Sequence, residues 1–325
     1  MTTITEVASK ANVSKATVSR VISGATFVKD ETKQRVLKAI KALDYTPNQA
    51  ARSLASKKSY TVGLVLLNLD SEYYAPVASS IEAVLRQEDL HVIIASGQGT
   101  EKGEREAVEF LIRRQVDALV LITSYLSPDA LALFNQRCPV FVLNQEYPGS
   151  QKKTVLFDNY LGGFMATEYL INKGHTQIGN ITGPIQKPDA NDRFNGYKDA
   201  LKKHALQPCC YTEGDFTIQG GIEAMQHLIT ADNQPTALVC GNDFMAIGAI
   251  YTCNQQGISI PDDLAIVGFD DLDIAKYFTP ALTTVKVPLF DMSAAIAKLL
   301  LQQVFFKNHS VNTLFKPEMV IRQSA

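Results

Sequence analysis

From Tyr60 onward the chain alternates apolar runs with amphipathic stretches, and this alternation restricts the fold more than any other feature. "TVGLVLLNL" is a near-continuous apolar run, the pattern of a parallel strand buried on both faces. "APVASSIEAVLRQEDL" then has helical periodicity and "HVIIASG" reads as a strand. "EREAVEFLIRRQV" and "DALVLITS" repeat the pair, and a further helix precedes "PVFVLN". A second series starts after Asp158, with helices at "GGFMATEYLINKG", "DRFNGYKDALKKHAL", "GGIEAMQHLITA" and "FMAIGAIYTCNQQG" around strands "IGNITG", "TALVCGN" and "LAIVGFD". Two such series predict an α/β core with parallel sheets and helices on both sheet faces. Ligands in such sheets sit beyond the carboxyl ends of the strands, here in a cleft between two lobes.

The first 59 residues have a different texture. They hold eleven basic side chains against four acidic ones, a net charge of +7, which leaves −9 for the rest of a chain whose total is −2. A basic head on an acidic body points to a polyanionic partner. The head reads as three short helices. Thr3 and Glu6 have capping-box spacing, and Ile4, Val7, Ala8 and Ala11 line one face. Asn12-Val13 breaks the pattern, Ser14 is a fresh N-cap, and Val18, Val21 and Ile22 form an apolar stripe that Gly24 ends. A third helix is predicted from about Asp30 to Leu43, with Val36, Leu37, Ile40 and Leu43 inward. This is a helix-turn-helix plan, in which the second helix enters the major groove. With its stripe buried, Lys15, Ala16, Ser19 and Arg20 lie on or near the free face. Arginine grips guanine O6/N7 bidentately and alanine touches a thymine methyl, while Lys15 reaches a base or a phosphate. Ser14 and Thr17 suit phosphate oxygens near the positive helix end. "NQAARSLASKK" at residues 48–58 is short enough to be helical only with a partner.

Other chemistry finds little support. The five cysteines are odd in number and lack C-x-x-C spacing, so neither a disulfide framework nor a zinc site is expected; reduced thiols in a cytoplasmic protein fit instead. "MTTITEVASKANV" lacks the apolar run of a secretory signal, and no stretch approaches the roughly 18 apolar residues of a membrane span. "GQGTEKG" is one residue too long for the dinucleotide fingerprint. The five histidines show no ligand spacing, and there is no nucleophile elbow or P-loop. No catalytic residues, metal or cofactor are expected.

"TITEVASKANVSKATVSRVISG", followed by "YTPNQAARSLASKKSYTVGLV", resembles the DNA-binding head and hinge of the lactose/galactose-repressor (LacI/GalR) family. "FDNYLGGFMATEYLINKGHTQIGNITGP", "DRFNGYKDAL", "CGNDFMAIGA", "IPDDLAIVGFDD" and "YFTPALTTV" continue the likeness in order. The resemblance implies a helix-turn-helix domain over 1–46, a hinge helix and linker over 47–59, and a periplasmic-binding-protein-like core over 60–325. The N-lobe would take about 60–157 and 289–319, and the C-lobe about 158–288 and 320–325, with crossings near Asp158, Pro288 and Val320. It implies a homodimeric repressor on a palindromic operator, governed by a small effector between the lobes. Leu54, beside Ala55, would be the wedge that enters the minor groove and unstacks a central step. By position in the family pattern the effector would meet Tyr73, Tyr74, Asn144, Gln145, Asp158, Asp189, Arg193, Phe216, Asn242 and Asp270; Asp243 and Asp271 would cap N–H groups instead.

Carboxylates, arginine and asparagine pair with vicinal hydroxyls, and aromatic faces pack on apolar C–H faces, so a sugar is expected. The purine regulators of the family carry a Trp after the fourth strand, and this chain has no Trp. "DANDR" is closer to the galactose-type members, and Lys187 leaves a sugar phosphate open. Alternatives are a purine- or nucleoside-responsive regulator, a sugar sensor with a vestigial head, and an α/β enzyme acting on sugars. The lack of a heptad tail before Ala325 favours a dimer over a tetramer.

Overall fold

The computed structural model describes residues 2–22, 28–45, 56, 58–69, 71–122, 125–150, 152–230 and 233–325. Gly24, Leu54, Ala55 and most of the expected hinge helix lie outside them. Two compact units divide the chain, Met1–Tyr60 and Thr61–Ala325.

In the first unit, α1 (Ile4–Ala11), α2 (Lys15–Ile22) and α3 (Asp30–Ala42) enclose one small core. The capping box is present: the Glu6 amide donates to Thr3 Oγ1 at 3.4 Å, and the Thr3 amide donates to Glu6 Oε2 at 2.8 Å. Asn12 takes a left-handed φ of 52°, which ends α1 and turns the chain tightly into α2. Ser14 Oγ accepts from the Thr17 amide at 3.1 Å, satisfying a first-turn donor of α2. Val7, Val18 and Val36 are fully buried at the meeting of the three helices. Each contributes about 1.5–3 kcal/mol of apolar burial. Leu37 departs from the expected inward set. It is 43% exposed, while Ala39 is buried in its place. One residue is 100° of helix, so with Val36 at the centre of the apolar face Leu37 must point away from it.

The second unit has two lobes, each built on a six-stranded sheet. The N-lobe contains β1 (Thr61–Leu66), α4 (Tyr74–Arg86), β2 (His91–Ser96), α5 (Glu101–Arg113), β3 (Ala118–Leu121), α6 (Pro128–Arg137), β4 (Val140–Leu143) and β5 (Thr154–Phe157). The C-lobe follows with α7 (Asn159–Asn172), β6 (Ile178–Thr182), α8 (Pro188–Lys203), β7 (Tyr211–Glu213), α9 (Ile218–Leu228), β8 (Ala237–Cys240), α10 (Asp243–Gln256), β9 (Ala265–Asp270) and, after a 3-10 turn (Asp273–Lys276), β10 (Thr283–Lys286). Then α11 (Leu289–Val304) and β11 (Leu314–Phe315) return to the first sheet, and β12 (Glu318–Val320) to the second. The strand orders are β11-β5-β4-β3-β1-β2 and β12-β10-β9-β8-β6-β7. All pairings are parallel except β10 with β12. β1 is buried from Val62 to Leu66, as a strand covered on both faces must be.

The chain therefore passes between lobes at Asp158, at Val287-Pro288 and at Lys316-Pro317. The last passage precedes the expected Val320, because residues 318–320 already pair with β10 in the C-lobe sheet. Among the described residues, no helix is long and apolar enough to cross a membrane, and no group of His, Cys, Asp and Glu side chains is placed to hold a metal. Cys138, Cys240 and Cys253 are buried free thiols, and Cys209 and Cys210 are half-buried.

Candidate functional site

Between the lobes, beyond the carboxyl ends of both sheets, lies a cavity of about 640 Å³. Its polar centre is built on Arg193, in the second turn of α8. Gly163 of α7 lets α8 come close, since a Cβ there would lie 2.0 Å from the Arg193 carbonyl oxygen. The guanidinium is held on three sides. Nε donates to Asn159 Oδ1 at 2.9 Å, and Nη1 donates to the Gly241 carbonyl at 2.6 Å and to Asp270 Oδ1 at 3.4 Å. Its plane lies 3.8 Å from the centroid of the Phe269 ring. Among the described residues, Nη2 and Asp270 Oδ2 have no hydrogen-bond partner, so one donor edge and one acceptor oxygen border the cavity. Arg193 and Asp270 are both more than nine-tenths buried.

Burial pushes the Asp270 carboxyl up to about 7, against the pull of Arg193 and with the help of Asp189. The Tyr73 and Tyr74 hydroxyls are pushed up by burial and by the facing carboxylates Asp270 and Asp189. Their rings meet edge to face with centroids 5.1 Å apart. Asn144 (φ 63°), Phe216 (φ 69°) and Asp270 (φ 113°) all take backbone conformations that L residues rarely adopt. Such strain is held only where the surroundings over-determine it, typically at ligand sites. Asn144 Oδ1 accepts from the Phe157 amide and from Asn159 Nδ2, both at 3.2 Å, and so clamps the first crossing. Asn242 Nδ2 donates to the Phe216 carbonyl at 3.0 Å, and its Oδ1 caps α10 through the Met245 amide. The Phe216 ring lies on Gly183, where a Cβ would be 2.1 Å away.

Nine of the ten expected positions line this cavity: Tyr73, Tyr74, Asn144, Gln145, Asp189, Arg193, Phe216, Asn242 and Asp270. Asp158 does not. Its carboxylate accepts from the Leu161 amide at 2.9 Å and caps α7, because the helix begins directly after β5 with no loop to supply another acceptor. Asp243, expected as a cap, accepts the Leu272 amide and the Thr284 hydroxyl. Asp271 instead pairs with Arg322 at 2.6 Å. Sequence reasoning did not single out Asn68, Asp215 or Phe244, which also line the cavity. Asn68 and Phe244 lie just past β1 and β8, where the strand-end rule would have found them.

Lys187 lines the cavity too, and it links the lobes. The side chain is more than nine-tenths buried, with its ammonium 5.2 Å from the Tyr125 ring of the N-lobe and 5.4 Å from the Phe216 ring of the C-lobe. Burial pulls its pKa down. Glu104, fully buried, fixes the loop that carries Tyr125 by accepting its amide at 3.2 Å and that of Leu126 at 2.9 Å.

In the first unit, Ser14, Lys15, Ala16, Ser19 and Arg20 are exposed and Thr17 is half-buried, around the buried Val18 and Val21. The Ser14 and Thr17 hydroxyls share one hydrogen bond of 2.9 Å, so one O–H of the pair remains to donate outward.

The sequence profile for "Bacterial regulatory proteins, lacI family" matches residues 3–48, and that for "Periplasmic binding protein-like domain" matches residues 167–325. The Ribose operon repressor of Haemophilus influenzae is 35% identical over 327 residues, covering 100% of this chain and 98% of the relative. The chain belongs to the lacI family of bacterial regulatory proteins. An HTH-type transcriptional repressor PurR of H. influenzae is 31% identical over 331 residues, covering 100% of this chain and 98% of that one. A solved lac repressor dimer, bound to operator and the anti-inducer ONPF, superposes with a TM-score of 0.86 at 26% identity, over 99% of this chain and 98% of that one. The lacI-family chain is thus a DNA-binding transcription regulator and not an enzyme, with the helix-turn-helix head and two-lobed core expected of it.

Proposed function

We propose that this lacI-family regulator is a cytoplasmic repressor that acts as a homodimer on a palindromic operator, and that a neutral sugar in the cleft sets its hold on DNA. The observation that carries the sugar is the unpartnered pair formed by Arg193 Nη2 and Asp270 Oδ2, a donor and an acceptor side by side among Tyr73, Tyr74 and Phe216. Adjacent hydroxyls accept from the first and donate to the second, while the rings take the apolar C–H face. The cleft is also lined by four carboxylates, Glu72, Asp189, Asp215 and Asp270, against two cations, Lys187 and Arg193, a balance that favours a neutral ligand over a sugar phosphate. The name of the ribose operon repressor points the same way.

On the DNA side, Lys15, Ala16 and Arg20 would meet base edges, and Ser14 and Thr17 phosphates, in the major groove. Leu54 and Ala55 would enter the minor groove at the operator centre. Operator binding by fluorescence anisotropy, titrated with ribose and other mono- and disaccharides, sugar phosphates, hypoxanthine and guanine, tests the reading. A neutral sugar should shift operator affinity by roughly 5–150-fold in either direction; a response to the purines alone would replace the sugar with the PurR-like alternative. Leu54→Ala should weaken a palindromic operator by roughly tenfold or more, since the wedge opens the step whose bend lets wider phosphate contacts form; unchanged affinity would remove the wedge.

A further inference from the structure

A second cavity, of about 620 Å³, opens in the N-lobe between β5, β11 and the last turns of α11. It is separate from the cleft but shares three structural elements with it. In the loop after β4, Gln145 lines the cleft and Glu146 the second cavity. On β5, Phe157 lines the first and Thr154 and Leu156 the second. On α11, Met292 lines the first and Leu299, Gln302 and Gln303 the second. Thr313 and Leu314, also in the wall, lead into the third crossing. The walls therefore include segments adjoining the first and third passages between lobes and the far end of the helix that follows the second.

Part of the chemistry of the cavity is unspent. Among the described residues, His309 Nε2 is buried without a hydrogen-bond partner, an arrangement that costs stability unless something fills it. Glu146 and Lys152 line the same space, and among the described residues neither makes an ion pair. The carboxyl end of α11, with its partial negative charge, adjoins at Gln302 and Gln303. Glu146 thus offers an anion and Lys152 a cation to one space, beside Gln302 and with Leu156, Leu299 and Val311 as apolar wall, while the Gln303 amide ties the end of α11 to the Lys152 carbonyl.

We propose that this cavity is a second ligand site that takes a small zwitterion of the free α-amino-acid class, and that its occupancy alters ligand affinity in the cleft. The ammonium would face Glu146, the carboxylate would face Lys152, and His309 Nε2 would gain a partner. Coupling follows if the ligand holds β5, α11 and β11 in one of two lobe arrangements, since a ligand shifts such an equilibrium only by differential affinity. The coupling rests on the cleft being the sugar site; the binding does not.

The test is isothermal titration calorimetry on the full chain with each of the twenty common amino acids, and with putrescine as an amine lacking the carboxylate. At least one amino acid should bind once per chain. Its Kd should rise at least about tenfold in His309→Ala and in the Glu146→Gln/Lys152→Gln double variant, and stay unchanged in Arg193→Ala. No binding by any amino acid, or binding that both cavity variants retain, overturns the site. Loss in Arg193→Ala places the amino acid in the cleft, and equal binding of putrescine overturns the zwitterion. With the bound amino acid saturating, the sugar Kd should move by about fivefold or more in the wild type and not in His309→Ala; no movement overturns the coupling.

Discussion

The recognition helix and the cleft use the same residue types under opposite conditions. On α2, Lys15 and Arg20 stand in solvent on an eight-residue helix anchored by Val18 and Val21. In the cleft, Arg193, Lys187 and Asp270 are more than nine-tenths buried, and Asp270 sits on strained backbone. An exposed cation reads a polyanion through long-range, salt-screened attraction, and each contact acts nearly alone. A buried one has given up its water and must be matched group by group, so its contacts act as a unit. The head should thus be salt-sensitive and additive, and the cleft pH-sensitive and cooperative.

The largest effect should come from Arg193→Ala. The variant loses the donor edge to the ligand, the tie to Asn159 and the partner of Asp270 together. Sugar affinity should fall by at least about a hundredfold, the equivalent of two charge-assisted hydrogen bonds of about 1.5 kcal/mol each. Calorimetry with the sugar found in the effector titration reads it, alongside operator binding, which should remain. The stability loss should be smaller than the 3–5 kcal/mol of a stranded buried charge, because Asp270, already near 7, takes up a proton instead. Retained sugar affinity would mean that the cleft is not a matched unit.

Arg20→Ala tests the other pole. Operator affinity should drop by about 1–3 kcal/mol, and the loss should concentrate at one base pair of each half-site. If Arg20 instead held a phosphate, the loss would be uniform across sequences and the salt slope would shrink by about 1. Anisotropy at several salt concentrations, on operators mutated one base pair at a time, separates the two.

The two regions also differed in how far the sequence revealed them. In the head, the spacing of Thr3 and Glu6, the Ser14 cap and the Val18/Val21 stripe were legible because each is a local rule satisfied within one or two helical turns. Leu37 misled because its apolar character was set above the helical period, which puts it about 100° away from the buried Val36. In the core, the long apolar strands were legible. β3, β4 and β8, of four residues each, were legible too because they are apolar throughout. β5, β7, β10 and β12 mix polar residues into three or four positions and β11 has only two, so none of these stands out as an apolar run. The third crossing was displaced for that reason. The cleft residues came from the family pattern, and that pattern could not tell that Asp158, at the right place in the chain, spends its carboxylate on the first turn of α7.

Asp270 supplies the pH test that α2 cannot give. Burial holds its carboxyl near 7, so the folded chain favours the protonated form over a range where a free carboxyl would be ionised. A sugar hydroxyl that donates to Asp270 needs the ionised form. Sugar affinity should therefore be highest above pH 7 and decline below it, by about tenfold from pH 8 to pH 6, the ionised fraction falling from about nine-tenths to one-tenth. Asp270→Asn should bind weakly at every pH and lose this profile. A flat wild-type profile would show that the ligand does not use the carboxylate.

The smallest effect belongs to Thr3→Ala, and it asks whether the head is as local as the comparison implies. The Thr3 side chain accepts one first-turn donor of α1, and Glu6 returns the bond to the Thr3 amide. Removing the hydroxyl takes the side-chain acceptor from the Glu6 amide, which keeps only its bond to the Thr3 carbonyl, at a cost of about 1 kcal/mol. Hydrogen exchange should show α1 amides opening roughly fivefold more often, the fold-change that 1 kcal/mol gives at 25 °C. Amides of β1 and β9 should keep their protection, and the sugar Kd should not move. Because Val7, Ala8 and Ala11 pack on Val18 and Val36, a modest share of the loosening should reach α2 and appear as a faster operator off-rate. If the core amides loosened as well, the head would not be an independent unit, and the contrast between a local reader and a cooperative sensor would need to be redrawn.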